Sequence, residues 1–67
     1  SLPDGLTGRE AEIIRLVAQG LKDKEIGQRL FITVKTVQAH LRNIFNKVGV
    51  PNRAALTAYA ARHRLIQ

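Results

Sequence analysis

The chain has 67 residues, 45% of them hydrophobic, with 11 Lys+Arg against 5 Asp+Glu and no Cys, Met or Trp. One domain is the most this length allows, it buries only about 60% of its unfolded surface, and no disulfide or cysteine-held metal can staple it. His40 and His63 cannot close a metal site by themselves, no apolar run approaches the roughly 20 residues that span a bilayer, and little chain is left to wall a catalytic pocket, which leaves a small, cytosol-compatible binding module with no enzyme activity, cofactor or membrane partner expected.

Residues 1–5 carry turn formers without a period and read as the end of a linker, so the domain is expected over residues 6–67. Thr7-Gly8-Arg9-Glu10 fits a capping box, in which Thr7 and Glu10 each satisfy the other's backbone amide. Leu6 is placed to staple onto Ala11. Ile13, Ile14, Val17 and Ala18 then form an apolar face at helical spacing, with Leu16 on its margin. Gly20 suits a left-handed helix end, and Leu21 the apolar residue that closes it. A short helix follows with Asp23 as N-cap and Glu25 in its first turn. Ile26 and Leu30 lie one turn apart on one side. Gly27 costs about 1 kcal/mol against Ala inside a helix, and close approach of another helix at that point is its expected reason. Phe31-Ile32-Thr33 makes a tight connection.

Thr33 caps the third helix, about residues 34–48. At about 100° per residue, Val34, Val37, Leu41, Ile44, Phe45 and Val48 fall on one face. Lys35, Ala39, Arg42, Asn43 and Asn46 fall on the other, with Gln38 at its edge. Gly49 ends this helix after Lys47, a cation suited to the negative end of the dipole. Asn52 caps a last helix, about residues 53–62, with Leu56, Tyr59 and Ala60 roughly aligned. Leu65 and Ile66 form an apolar pair that can fold back onto the core. No segment alternates like a strand. The fold class is therefore all-α, four helices and no sheet.

Two helices joined by a three-residue turn, the first short with a small residue at its centre, describe a helix-turn-helix. Residues 1–30 hold all five acids, which cancel their cations; residues 31–67 hold Lys35, Arg42, Lys47, Arg53, Arg62 and Arg64 and no acid. Such one-sided charge attracts a polyanion, because each neutralised phosphate releases a counterion. The outward stripe of the third helix carries what a major-groove reader needs. Lys35 and Arg42 can reach phosphates or guanine. Gln38 can pair with adenine, and Ala39 can touch a thymine methyl.

Leu6-Thr7-x-Arg9-Glu10, Ala18-x-Gly20, Lys24-Glu25-Ile26-Gly27, Leu30-x-Ile32-Thr33-x-x-Thr36-Val37-x-x-His40 and Asn43-Ile44-x-x-Lys47-Val48-Gly49-Val50-x-Asn52-Arg53 together resemble the LuxR-type helix-turn-helix domain, the C-terminal output domain of LuxR, NarL and FixJ regulators. The resemblance covers about residues 6–66. It implies a bacterial, cytoplasmic and nucleoid-associated transcription factor domain that binds double-stranded DNA as a homodimer. Its further partners would be RNA polymerase and an N-terminal receiver or ligand-binding domain. By position, Gln38, Ala39 and Arg42 match the family's base-reading residues. Lys24, Thr33, Lys35, Thr36 and Lys47 match positions near backbone phosphates. The fourth helix matches the dimer contact, with Leu56, Tyr59 and Ala60 as its candidates. Three positions depart from the pattern. Gly27 is more often Ala, Gln38 stands where Lys is common, and Phe31 replaces a polar or small turn residue. Phe31 either lies over the turn as extra core or is exposed against a further domain.

Plainer roles compete at several of these positions. His40, at the edge of the buried face, reads as a structural histidine. Tyr59 suits the core as well as a dimer face. Glu10 reads as a cap partner only. Arg53, a cation at a helix N-terminus, is badly placed for the dipole and needs a specific partner, a phosphate or a local carboxylate. The competing function class is a protein-interaction module docking on a polymerase subunit or regulatory domain. Such a module should expose Leu, Phe or Trp anchors on its outward helix, and this stripe carries none.

Overall fold

A reciprocal pair of hydrogen bonds fixes the start of the first helix. The Glu10 amide donates to Thr7 Oγ1 at 3.1 Å, and the Thr7 amide donates to Glu10 Oε1 at 2.9 Å. In the computed structural model, which describes residues 2–66, four helices follow one another: α1 (Gly8–Ala18), α2 (Asp23–Leu30), α3 (Val34–Val48) and α4 (Arg53–Arg62). A single 3-10 turn, Pro3–Gly5, precedes them. Ser1 and Gln67, the outer ends of the expected linker and domain, lie outside the described residues. Among the described residues there is no strand, as the sequence pattern requires.

The other helix ends follow from local chemistry. Gly20, at φ 90°, ends α1 in a Schellman motif, with its amide donating to the Val17 carbonyl and that of Leu21 to Leu16. The Thr36 amide donates to Thr33 Oγ1 at 3.1 Å at the start of α3. Gly49, at φ 71°, closes α3. The Ala55 amide donates to Asn52 Oδ1 at 2.9 Å to open α4. The start of α2 differs from expectation by one residue. Its N-cap is Lys22, whose amide donates to Glu25 Oε1 at 2.7 Å. Asp23 is the first helical residue, and its carboxylate is drawn across the surface to Arg53 at 2.7 Å.

α1 lies at the centre of the molecule. It packs against α4 on one side and α3 on the other, while α2 packs mainly on α3. Ile13 and Ile14 of α1, Ile26 of α2, Val37 and Ile44 of α3, and Leu56 of α4 are fully enclosed. Leu41, Tyr59, Ala60 and the returning Leu65 complete this core. Val34, expected on the inward face of α3, is 39% exposed because the first turn of the helix projects past the core.

Gly27 has a different reason from the one expected. A Cβ there would stand 2.6 Å from the carbonyl oxygen of Ile32, which belongs to the turn itself and not to a facing helix. The chain doubles back tightly, and the Ile32 amide donates to the Gly27 carbonyl at 2.9 Å. Phe31, between them, adopts the left-handed conformation at φ 59° and is 94% exposed. It does not cover the turn.

Glu10 does more than cap. It is 4% exposed, and Lys47 from the last turn of α3 reaches it at 2.7 Å. Burial works to raise its pKa, but the hydrogen bonds from Lys47 and Thr7, with the Lys47 charge, outweigh burial and hold it below the ordinary 4.5. Lys47 also donates to the Gly5 carbonyl at 3.2 Å, and the Tyr59 hydroxyl donates to Asp4 Oδ2 at 2.6 Å. Residues 3–5, expected as a linker end, are thus clamped to α3 and α4.

Gly27→Val forces either the Ile32 carbonyl or α2 to shift. We expect a loss of about 1–3 kcal/mol in urea unfolding, the usual range for overpacking. Burial, followed by the hydrogen bond to and charge of Asp4, raises the Tyr59 hydroxyl to about 12. A folded pKa above the unfolded value of 10.0 means this contribution to stability is complete below pH 10.0 and is lost as pH rises through about 12. With one Tyr and no Trp in the chain, absorbance titration of tyrosinate reads this directly. Asp4→Asn should lower the midpoint.

Candidate nucleic-acid interface

The burial of α3 divides its circumference in two. Val37, Leu41 and Ile44 are buried, with Phe45 and Val48 half-buried beside them. On the opposite side Lys35, Gln38, Arg42, Asn43 and Asn46 are exposed, and Ala39 is half-buried. From Lys35 to Asn46 the stripe is about 16 Å long at 1.5 Å per residue. An α-helix with one free face of this length fits a major groove about 12 Å wide. Ala39 leaves a low point between the longer Lys35 and Arg42, where a base edge can approach. His40 is half-buried at the margin of the inward face.

The first turn of α3 presents Thr33, Lys35 and Thr36, all exposed. The Thr33 and Thr36 hydroxyls lie 2.9 Å apart and share a hydrogen bond. One of the two hydroxyl protons is used in that bond and the other is free to donate to an anion, beside the positive end of the helix dipole. Lys24 stands exposed in the first turn of α2. Six of the sequence-predicted residues, Gln38, Arg42, Lys24, Thr33, Lys35 and Thr36, are thus available to solvent. Lys47 is different. Its ammonium is held by Glu10 and the Gly5 carbonyl, so its first role is to fasten α3 to α1.

The candidates for a dimer contact are placed otherwise than the sequence suggested. Leu56, Tyr59 and Ala60 are 0%, 3% and 0% exposed, sealed in the domain's own interior. Their spacing is that of an inward stripe, which sequence alone cannot tell from an intermolecular one. The outward side of α4 carries Ala54, Ala58, Ala61 and Arg62. Tyr59 stacks at a tilt of 34° on His63, with ring centroids 4.3 Å apart.

Arg53 finds the partner that its position at a helix N-terminus called for. It donates through Nη1 to Asp23 Oδ1 at 2.7 Å and through Nη2 to the Leu21 carbonyl at 2.6 Å. The pairing with Asp23 was not legible beforehand, since 30 residues separate the two. The misplaced cation was the signal that a partner exists. Among the described residues no group of three or more His, Cys, Asp or Glu could hold a metal ion, and no helix is long and apolar enough to cross a membrane.

The family model described as "Bacterial regulatory proteins, luxR family" matches residues 4–60. The chain is 48% identical over 63 residues to the transcriptional regulatory protein LiaR of Bacillus subtilis (strain 168), covering 94% of this chain and 30% of LiaR. It is 42% identical over 62 residues to the oxygen regulatory protein NreC of Staphylococcus aureus (strain JH9), covering 92% of this chain and 29% of NreC. The crystal structure of the response regulator ChrA of a heme-sensing two-component system superposes with a TM-score of 0.87 at 42% identity, over 92% of this chain and 31% of ChrA. The chain therefore spans less than a third of each of these relatives. Its match along most of its length, with the same helical architecture, is sufficient: the chain belongs to the luxR family of bacterial regulatory proteins.

Proposed function

We propose that this domain binds double-stranded DNA sequence-specifically, with α3 in the major groove. The observation that carries this reading is the free face of α3, where Lys35, Gln38 and Arg42 are exposed opposite the buried Val37, Leu41 and Ile44. Gln38, Ala39 and Arg42 read base edges, with Gln38 suited to adenine and Arg42 to guanine. Lys24, Thr33, Lys35 and Thr36 hold phosphates and set the register. Lys47 contributes charge near the backbone while anchored to Glu10.

Two copies bind together, since one small module supplies few contacts. α4 makes the dimer contact through its outward Ala54, Ala58 and Ala61, in place of the buried Leu56, Tyr59 and Ala60. Small side chains let two such helices approach closely. Half-sites then lie about 10 base pairs apart, or a multiple of that, on one side of the duplex. The full-length protein adds a receiver or ligand-binding domain, contacts RNA polymerase, and works in the bacterial cytoplasm at the nucleoid. A protein-docking role has one feature in its favour, the exposed Phe31, but Phe31 stands apart from the α3 stripe, which offers polar groups only.

Selection from randomised duplexes at two salt concentrations tests this. Recovered sites should share paired half-sites, and enrichment should fall steeply with salt. Recovery of no common sequence would remove base reading by α3. Arg42→Ala should cost roughly 1–3 kcal/mol and relax preference at one base position. Lys35→Ala should weaken all sequences alike and reduce the salt slope by about one. Binding titrations of both variants against matched and mismatched duplexes separate the two roles.

A further inference from the structure

Asp23 poses a problem for any DNA reading of this surface. It is the first residue of α2 and shares a cleft with Lys24, so a bare carboxylate there would set a negative charge close to the proposed phosphate contact. Two like charges at this range repel appreciably even near water. The structure supplies an answer from a distant part of the chain. The Arg53 guanidinium reaches from the first turn of α4, meets Asp23 Oδ1 at 2.7 Å, and is fixed in place by the Leu21 carbonyl at 2.6 Å. Lys22, Asp23, Lys24 and Arg53 line one shallow cleft between the α1–α2 connection and α4. Glu25, the other acid of this turn, accepts from the Lys22 amide at 2.7 Å, against the positive end of its own helix.

We infer that Arg53 is a positioning residue for DNA binding, which neutralises Asp23 at the start of α2 so that Lys24 can take a phosphate. In this role Arg53 acts through Asp23, to which its Nη1 donates while its Nη2 donates to the Leu21 carbonyl. A cation at the first residue of α4 is unfavourable for that helix, and its placement is explained by service to α2. The pair is not a large source of stability. Arg53 and Asp23 side chains are 41% and 29% exposed, and ion pairs at such positions contribute little. This inference rests on the DNA reading proposed above and deepens it.

The test follows the charge of the pair. The wild-type chain, Arg53→Met, Arg53→Lys, Asp23→Asn and the Asp23→Asn/Arg53→Met double variant are titrated by anisotropy against a duplex recovered with the wild type. Measurements are made at about 50 and about 200 mM salt, where screening differs strongly. Only Arg53→Met leaves a bare carboxylate. It should bind about tenfold more weakly at the lower salt, with the deficit shrinking at the higher salt as repulsion is screened. Arg53→Lys, Asp23→Asn and the double variant should stay within about threefold of wild type or bind more tightly. Thermal melts by circular dichroism accompany each titration, and the double variant should recover affinity without recovering the lost fork. A double variant as weak as Arg53→Met overturns the inference, since Arg53 would then act as a direct phosphate contact or as scaffold alone. Should Arg53→Met not fold, Arg53→Lys decides the matter, because a tenfold loss there means that fork geometry and not charge is what counts. A wild-type chain that binds no duplex overturns the reading of α3 and this inference with it. A wild type that binds, with Arg53→Met its equal, overturns the inference alone.

Discussion

The tight reversal of the chain between α2 and α3 governs what the molecule can present. With the Ile32 carbonyl only 2.6 Å from where a Cβ on residue 27 would be, this turn admits no larger residue there without movement. The turn joins α2 directly to α3, so its geometry governs how α3 is set against the core. It leaves Val34 and the first turn projecting while Val37, Leu41 and Ile44 remain enclosed. A looser turn would let α3 rotate, and rotation of a helix by one residue's step of about 100° would carry Arg42 toward the interior. The surface proposed to meet DNA is therefore a product of packing behind it as much as of its own side chains.

Charge is distributed by the same logic. Of the five acids, Glu10 is tied to Lys47, Asp23 to Arg53, Asp4 to the Tyr59 hydroxyl and Glu25 to the Lys22 amide. Four of the five carboxylates are thus engaged within the fold, while Glu12 stays exposed on α1. The cations of α3's outward face have no acid beside them in sequence and no ion pair among the described residues. A module with a net charge of +6 thus uses most of its negative charge internally and leaves a positive field in front, which favours rapid, salt-sensitive encounter with a polyanion.

Local signals were read well from sequence, and partners distant along the chain were not. The Thr7–Glu10 box, the Gly20 and Gly49 ends, and the Thr33 and Asn52 caps all involve residues within a few positions of one another. Each was visible as a pattern, and each is present in the fold. The outward placement of Lys35, Gln38 and Arg42 was equally legible, because helical periodicity alone divides the face. The sequence points Lys47 toward the helix dipole and a backbone phosphate and gives no sign of its bond to Glu10, 37 residues away. Residues 1–5 look like a linker end in sequence because the Tyr59 that holds Asp4 lies 55 residues away. Leu56, Tyr59 and Ala60 were offered to a second copy because an apolar stripe does not declare whether its complement is α1 or another chain. Asp23 lost its capping role for the same kind of reason: a distant guanidinium competes for the carboxylate.

Phe31 leads to a different kind of consequence. A left-handed backbone suits glycine or asparagine, and a ring left 94% in water gains nothing from the hydrophobic effect. The domain on its own thus carries a local strain that its tertiary structure does nothing to relieve. A position that glycine would occupy without strain thus holds a large ring in water, so this corner of the helix-turn-helix is not shaped for the endurance of the fold.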